Sequence, residues 1–441
     1  MKIYKRADRL FNNKPKKGKT MIKKVLLTSA LVASFAATAN AGDSSEVSGP
    51  QVTLGGSLDT QLGYAQQKKA FRHKDPSNTA TSKLNNHSLV NDTKISIKID
   101  GEFESGLKYG GAIKLNADTS EAKTNFFGKD DTNSKAEQTM AYVEGAFGRI
   151  EMGNTPSASD AMHVGAPGRG SEARYWINPN TSSKVVGTAT DPQTTQDSLV
   201  TNFLTAPNLP TNELGLVGNK GRNAGKVSYF TPSFSGIMIG LSYTPDVQSY
   251  GTVAQARGVT TSVTSGQAFK NVFEAGLKYE YMFNDVGVKA GVTGQAGDSK
   301  KVNDGTNLNK TYRSLRAWNA GLNLNFMGVT LGGSYGDWGK STVAKNSSVK
   351  GTKYWTLGAG YAFGPADVSL TYVNTQKGAI ANAKRNKLEM LSLELGYKLA
   401  PGLMPYAEVT CFKAKDNRAN GTSNYASNKG TVFLLGSKLQ F

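Results

Sequence analysis

From Lys94 to Ala117 the chain reads KISIKIDGEFESGLKYGGAIKLNA, and its character changes at every residue. Ile95, Ile97, Ile99 and Phe103 share one parity, and Lys94, Lys98, Asp100 and Glu102 share the other. After Glu104-Ser105-Gly106 the pattern restarts, with Leu107, Tyr109, Ile113 and Leu115 set against Lys108, Lys114 and Asn116. A period of two is a strand signal, and two such runs joined by a short Gly-containing turn make a β-hairpin. What the apolar face touches, a protein core or lipid, decides the fold.

The hairpin is one of many. QVTLGGSLDTQLGYAQQ, NVFEAGLKYEYMF, AWNAGLNLNF and EMLSLELGYKL all alternate in the same way. The whole chain accommodates sixteen such segments, near 52–66, 93–104, 106–117, 137–146, 148–154, 222–231, 236–244, 272–283, 286–297, 315–326, 329–337, 353–363, 367–375, 387–399, 403–413 and 430–441. Short connections near 105, 147, 233, 285, 328, 365 and 401 alternate with long ones at 67–92, 118–136, 155–221, 245–271, 298–314, 338–352, 376–386 and 414–429. An even strand number with short turns on one side and long loops on the other points to an all-β, antiparallel transmembrane β-barrel with short periplasmic turns and long external loops.

The competing architecture is a secreted β-sandwich or adhesin repeat, in which the apolar parity would face a second sheet. Most segments reach the length of roughly 9–11 residues that crosses a bilayer at a tilt. Aromatics fall towards the ends of the apolar faces (Tyr64, Tyr109, Tyr281, Phe283, Phe326, Tyr335, Phe363, Tyr372), as interfacial girdles require. Closure also removes every edge, the only way for a sheet to satisfy its backbone in hydrocarbon. These features favour lipid.

The N-terminus carries a second signal. MIKKVLLTSALVASFAATANA (21–41) has a basic head, an apolar stretch and the small-residue pattern Ala39-Asn40-Ala41, which together read as a secretory leader. Residues 1–20 read as a basic extension or an upstream start, and 42–441 as the barrel. Removing 1–41 takes away ten Lys and Arg and one acid, so the net charge falls from +19 to +10 and nucleic acid is not an expected partner. Cys411 stands alone, which excludes a disulfide framework, and its outward parity makes it a small lipid-facing residue. The three histidines, His73, His87 and His163, all fall in expected loops, with no paired-carboxylate, Ser-His or metal-ligand spacing nearby. No enzyme, cofactor or metal site is read from this chain.

Four stretches resemble the general trimeric porins of the bacterial outer membrane. They are VTLGGSLDTQLGY as opening strand, AYVEGAFGRIEMGN (141–154) before a constriction loop, GRNAGKVSYFTPSFSGIMIGLSYTP (221–245), and the terminal FLLGSKLQF. In the last, Phe441, Leu439 and Leu435 share a parity, similar to the family's assembly signal, although Ser437 stands where an apolar residue is usual. Asn154 likewise stands where many relatives have a basic residue. The resemblance implies a homotrimer in the outer membrane and an aqueous channel for passive diffusion of small hydrophilic solutes and ions.

Sixteen strands enclose more space than side chains fill, so such a barrel needs a constriction to sieve. The longest connection, about 155–221, follows the fifth strand, where the resembled porins fold a loop inward. TPSASDAMHVGAPGRGSEARYW (155–176) is therefore expected at the waist, carrying Asp160, Arg169, Glu172 and Arg174. On the inward parity of the nearby wall lie Asp59, Lys94, Lys98, Lys114, Arg222 and Lys226. The resemblance implies that Asp160 and Glu172 face some of Lys94, Lys98, Lys114 and Arg222 across the waist, with Lys98 near mid-strand. The lysine excess suggests a mild anion preference. Two rivals share the scaffold: a sugar- or anion-selective channel, with Tyr175 and Trp176 as a stacking surface, and a surface adhesin acting through loops 67–92 and 245–271.

Overall fold

A computed structural model describes residues 49–69, 86–117, 136–168, 173, 224–247, 259–260, 269–302, 311–341, 343–378, 384–415 and 427–441. The leader stretch 21–41 lies outside the described residues, as do His73, Arg169, Glu172, Arg174, Tyr175, Trp176 and Arg222.

In chain order the strands are β1 (Gln51–Gln67), β2 (His87–Glu102), β3 (Lys108–Asn116), β4 (Ala136–Gly145), β5 (Gly148–Asn154), β6 (Gly225–Phe230), β7 (Ile237–Asp246) and β8 (Val259–Thr260). They continue as β9 (Phe269–Phe283), β10 (Val286–Ser299), β11 (Lys301–Val302), β12 (Leu315–Phe326), β13 (Val329–Asp337), β14 (Lys353–Phe363), β15 (Ala366–Lys377), β16 (Asn386–Tyr397), β17 (Leu403–Lys415) and β18 (Ser427–Gln440). One helical turn, α1 (Ala158–Ala161), follows β5.

Sixteen of these strands form a closed barrel, in which each pairs antiparallel with its neighbour and β18 returns to β1. The two-residue strands β8 and β11, which alternation did not reveal, pair parallel to each other as a separate small sheet. Boundaries moved in places. β2 begins at His87 rather than near 93, so His87 is a strand residue opposite Tyr64 and not a loop residue. β9 begins at Phe269, and β6 spans only Gly225–Phe230.

The alternation is inside-out relative to a soluble protein. Leu54, Leu277 and Leu357 are 53%, 45% and 61% exposed, whereas inward-facing Glu274, Asn319 and Glu408 are 5%, 0% and 3% exposed. An outer surface this apolar is stable only against hydrocarbon, and the closed ladder leaves no unpaired strand edge there. Aromatic pairs mark both margins of the band, among them Trp318–Tyr335 and Trp355–Tyr372 towards the long connections and Tyr281–Phe283 beside a short turn.

The inward parity is not uniformly polar. Towards the long connections of β9, β12 and β14, Phe269, Val272, Leu315, Ala317 and Tyr354 join Val247 and Trp338 in a fully buried apolar cluster. The short turns pass through positive φ: Asn284 (φ 51°), a residue that tolerates it, between β9 and β10, and Met327-Gly328 (φ 48° and 83°) between β12 and β13, where Gly328 bears the larger angle. At the other end of the chain, Phe441 extends the β18–β1 pairing by exchanging backbone hydrogen bonds of 2.8 and 3.2 Å with Gly56.

Candidate pore constriction

The connection after β5 turns into the barrel at once. Thr155 is buried, its hydroxyl donates to Glu151 Oε2 at 2.9 Å, and its carbonyl accepts from Lys226 Nζ at 2.6 Å. Lys226 also donates to the Ala224 carbonyl at 2.6 Å and is itself buried. This corrects one expectation: two carbonyl acceptors draw the ammonium out of the water, so Lys226 holds the root of the loop instead of lining the lumen.

Ser157 has extended backbone (φ −79°, ψ 171°) and caps α1, its hydroxyl accepting from the Asp160 N–H at 3.4 Å. The same turn is fastened to the wall. The hydroxyls of Ser157 and Ser159 both donate to Glu274 on β9, Gln295 on β10 donates to Ser159 Oγ at 3.3 Å, and the Ala158 N–H donates to Ser242 on β7 at 2.7 Å. Ala158 and Ser159 thus pack on the wall, while Asp160 and Ala161 on the other side of the turn remain partly open.

Beyond α1 the chain follows a track of inward-facing glycines. A Cβ on Gly240 or Gly276 would meet the Met162 side chain at 2.8 and 2.9 Å, one on Gly291 the Met162 carbonyl at 2.6 Å, and one on Gly358 the Pro167 carbonyl at 3.0 Å. His163 lies half-buried with Nε2 at 3.5 Å from Tyr354 Oη, itself held by Asn319 at 2.6 Å. Burial pushes the imidazole down to about 4, against a smaller upward pull from Asp160. Thr371 on β15 donates to the Pro167 carbonyl at 2.6 Å, and the N–H of buried Ala173 donates to Glu408 on β17 at 3.3 Å. The described part of the loop therefore lies inside the barrel along the arc from β6 to β15, with Ala173 at β17.

The lysine-bearing strands occupy the other arc, since β2 and β3 stand eight places from β12 and β13 in the ring of sixteen. Their charges are matched. Lys94 lies 3.3 Å from Asp92 and 3.7 Å from Glu137, Lys114 lies 3.3 Å from Glu137, and Lys98 lies 2.9 Å from Asp100. Tyr142 on β4 donates to Asp100, and the Arg149 guanidinium sits 3.8 Å from the centre of the Tyr142 ring. Arg149 also reaches Glu144 at 3.0 Å and Glu151 at 2.7 Å. Asp59, across the β1–β18 closure, accepts from Tyr406 Oη at 2.8 Å. Sequence reading had Asp59, Lys94, Lys98 and Lys114 on the inward parity, and each has a partner there. It missed the Glu274 anchor and the glycine track, whose only trace is a glycine at the inward phase of successive strands.

A model of the Gram-negative porin family matches residues 28–417 of this chain. An uncharacterized protein of Rickettsia conorii is 28% identical over 351 residues, covering 70% of this chain and 77% of that protein. One of Rickettsia felis is 27% identical over 354 residues, with the same two coverages. Among solved structures, an anion-selective porin from Comamonas acidovorans superposes with a TM-score of 0.52 at 16% identity, over 89% of this chain and 100% of that one. OmpT, an outer membrane protein of Vibrio cholerae in trimer form, does so with a TM-score of 0.52 at 13% identity and the same coverage. At such identities the structural likeness is one of fold. Sequence family and barrel agree, and the chain belongs to the Gram-negative porins, channels of the bacterial outer membrane.

Proposed function

We propose that the channel passes small hydrophilic solutes and ions passively, through a waist formed by the loop that begins at Thr155. The observation that carries this reading is the course of residues 155–168 along the inner wall, fastened through Glu274, Ser242 and Thr371. A loop held inside the bore lowers the size limit without closing it, and a polar wall admits solutes in their hydration water.

Asp160, on the open side of α1, is our candidate for the acidic side of the waist, with Lys94, Lys98 and Lys114 on β2 and β3, outside the arc that carries the loop. Arg169, Glu172, Arg174 and Arg222 complete the set in this proposal. The close pairing of Lys94, Lys98 and Lys114 with acids supports weak charge selectivity rather than the anion preference suggested by the lysine excess. We further propose that residues 21–41 are removed on export and that the protein works as a homotrimer with no chemical turnover of its solutes.

Single-channel recording of purified protein in a planar bilayer tests the reading. Expected are ohmic steps, opening in groups of three, and a reversal potential near zero in a salt gradient. Conductance that saturates and is blocked by millimolar sugar or anion would instead mark a substrate-selective channel; absence of steps would overturn the waist and the pore together.

A further inference from the structure

Directly under the loop, on the side of the short turns, the inner wall carries a row of hydrogen-bond donors. Met162 packs over Gly276 and Gly291, and Val164 over Gly321. The next inward positions on β9, β10 and β12 are Lys278, Lys289 and Asn323, two residues or roughly 7 Å nearer the short turns. In register, Lys289 lies between Glu280 on β9 and Asn323 on β12, while Lys278 lies between Gly291 on β10 and Met238 on β7. Met162 and Val164, both buried, make an apolar roof, so the row opens towards the short-turn mouth of the barrel.

Charge is unevenly matched in this row. Lys278 lies 2.9 Å from Glu280, and Lys289 has no carboxylate within ion-pair distance among the described residues. Two ammoniums therefore share one carboxylate, and Lys289 is repelled by Lys278 as well as attracted by Glu280. Other inward lysines are better supplied: Lys108 faces Glu102 and Glu144, Lys438 faces Asp59, and Lys98 meets Asp100 at 2.9 Å. The two asparagines of β12 differ as well. Asn325 donates to Thr330 Oγ1 at 2.7 Å. Asn323 has its Oδ1 buried over Gly332 without a hydrogen-bond partner, which turns Nδ2 away from the wall, beside Lys289.

We propose that Lys278, Lys289 and Asn323 form a docking site under the loop for the oxyanion of a small solute, a carboxylate or a phosphate ester. With Glu280 counted, one positive charge is left over, which suits a single anionic group. Its oxygens accept charge-assisted hydrogen bonds from the two ammoniums and the amide N–H, and its charge offsets the repulsion between Lys278 and Lys289. The inference rests on the passive pore proposed above. The site stands on the wall beside the bore, so it delays an anion without closing the passage, and a neutral solute meets no such hold.

The test uses the whole chain folded in detergent, with heat-modifiable migration on gels verifying that each variant is folded. An amine-acetylating reagent is applied at constant ionic strength in chloride, in glycolate, in glycerol phosphate, or in chloride with neutral glycerol. Peptide mass spectrometry then reads the rate at every lysine. Lys278 and Lys289 are expected to be acetylated at least threefold more slowly in an oxyanion than in chloride, with Lys94, Lys98 and Lys438 little changed. Protection by only one of the two oxyanions assigns the site to that group. Lys289→Gln should remove the protection of Lys278, Lys289→Arg and the control Lys108→Gln should keep it, and Glu280→Gln should strengthen it at least threefold. Equal slowing at all lysines, which would be an ion atmosphere only, overturns the proposal. So does protection by glycerol, protection by neither oxyanion, protection of Lys278 that survives Lys289→Gln, or weaker protection in Glu280→Gln. Ohmic steps in a bilayer are expected from every variant, so their loss speaks against the pore, and loss of protection against the site.

Discussion

The carbonyl oxygen of Val164 lies over Gly321 so closely that a Cβ there would sit 1.9 Å from it. No side chain fits in that gap, and β12 is bound on both sides and cannot retreat. Gly321→Val therefore displaces the loop while leaving the barrel to form, at a cost of about 1–3 kcal/mol or more to loop docking. Single-channel conductance is expected to rise, with barrel stability in detergent nearly unchanged; equal conductance would show that the loop does not set the bore.

Glu274 accepts from two serine hydroxyls, of which Ser159 is also held by Gln295 on β10. Replacement of Glu274 by Ala removes the acceptor from a buried network and is expected to weaken loop docking by about 1–3 kcal/mol. Limited proteolysis reads this as faster cleavage within 155–221 at an unchanged rate for the strands. Glu274→Gln retains an acceptor and falls in between.

The pH response follows from His163. Its docked imidazole titrates at about 4 instead of 6.5, so the docked loop binds fewer protons than the released one. Docking is at full strength above pH 6.5 and weakens as the pH falls from there towards about 4. Protease sensitivity of the loop is expected to increase over that window in the wild type. In His163→Gln, which cannot titrate, the increase should be smaller by the share of this one group.

Phe441 closes the ladder against Gly56, whose added Cβ would meet the Phe441 ring at 2.6 Å and the Lys94 carbonyl at 2.7 Å. Gly56→Val is expected to slow refolding into detergent and to lower its yield. Deleting Phe441 removes two backbone hydrogen bonds, worth about 1–3 kcal/mol together, from the same junction. Folding yield measured by heat-modifiable migration checks both.

The barrel was legible because lipid demands one uniformly apolar face, and stretches such as KISIKIDGEFE state it without interruption. The start of β2 was hidden because Leu89 and Val90 stand side by side and break the alternation; only pairing with β1 reveals it as a strand. The lysine wall was half read. Glu137 belongs outside by simple parity, yet the register shift beside Lys114 brings it into reach of Lys94 and Lys114. The course of the loop left almost no trace. Gly240, Gly276, Gly291 and Gly321 sit on four separate strands, and each alone reads as a weak spot in a strand rather than as part of a groove. Lys226 was misplaced because a one-dimensional pattern gives its side but not its acceptors.

Joining the first strand to the last has a consequence for biogenesis. The strand that completes the circle lies far along the sequence from the one it joins, so the cylinder cannot shut before β18 has been delivered to β1. The polypeptide must reach its membrane unassembled, with two raw borders and a full complement of oily side chains in water. That intermediate is prone to aggregate, and a periplasmic holding chaperone is the physical requirement it creates.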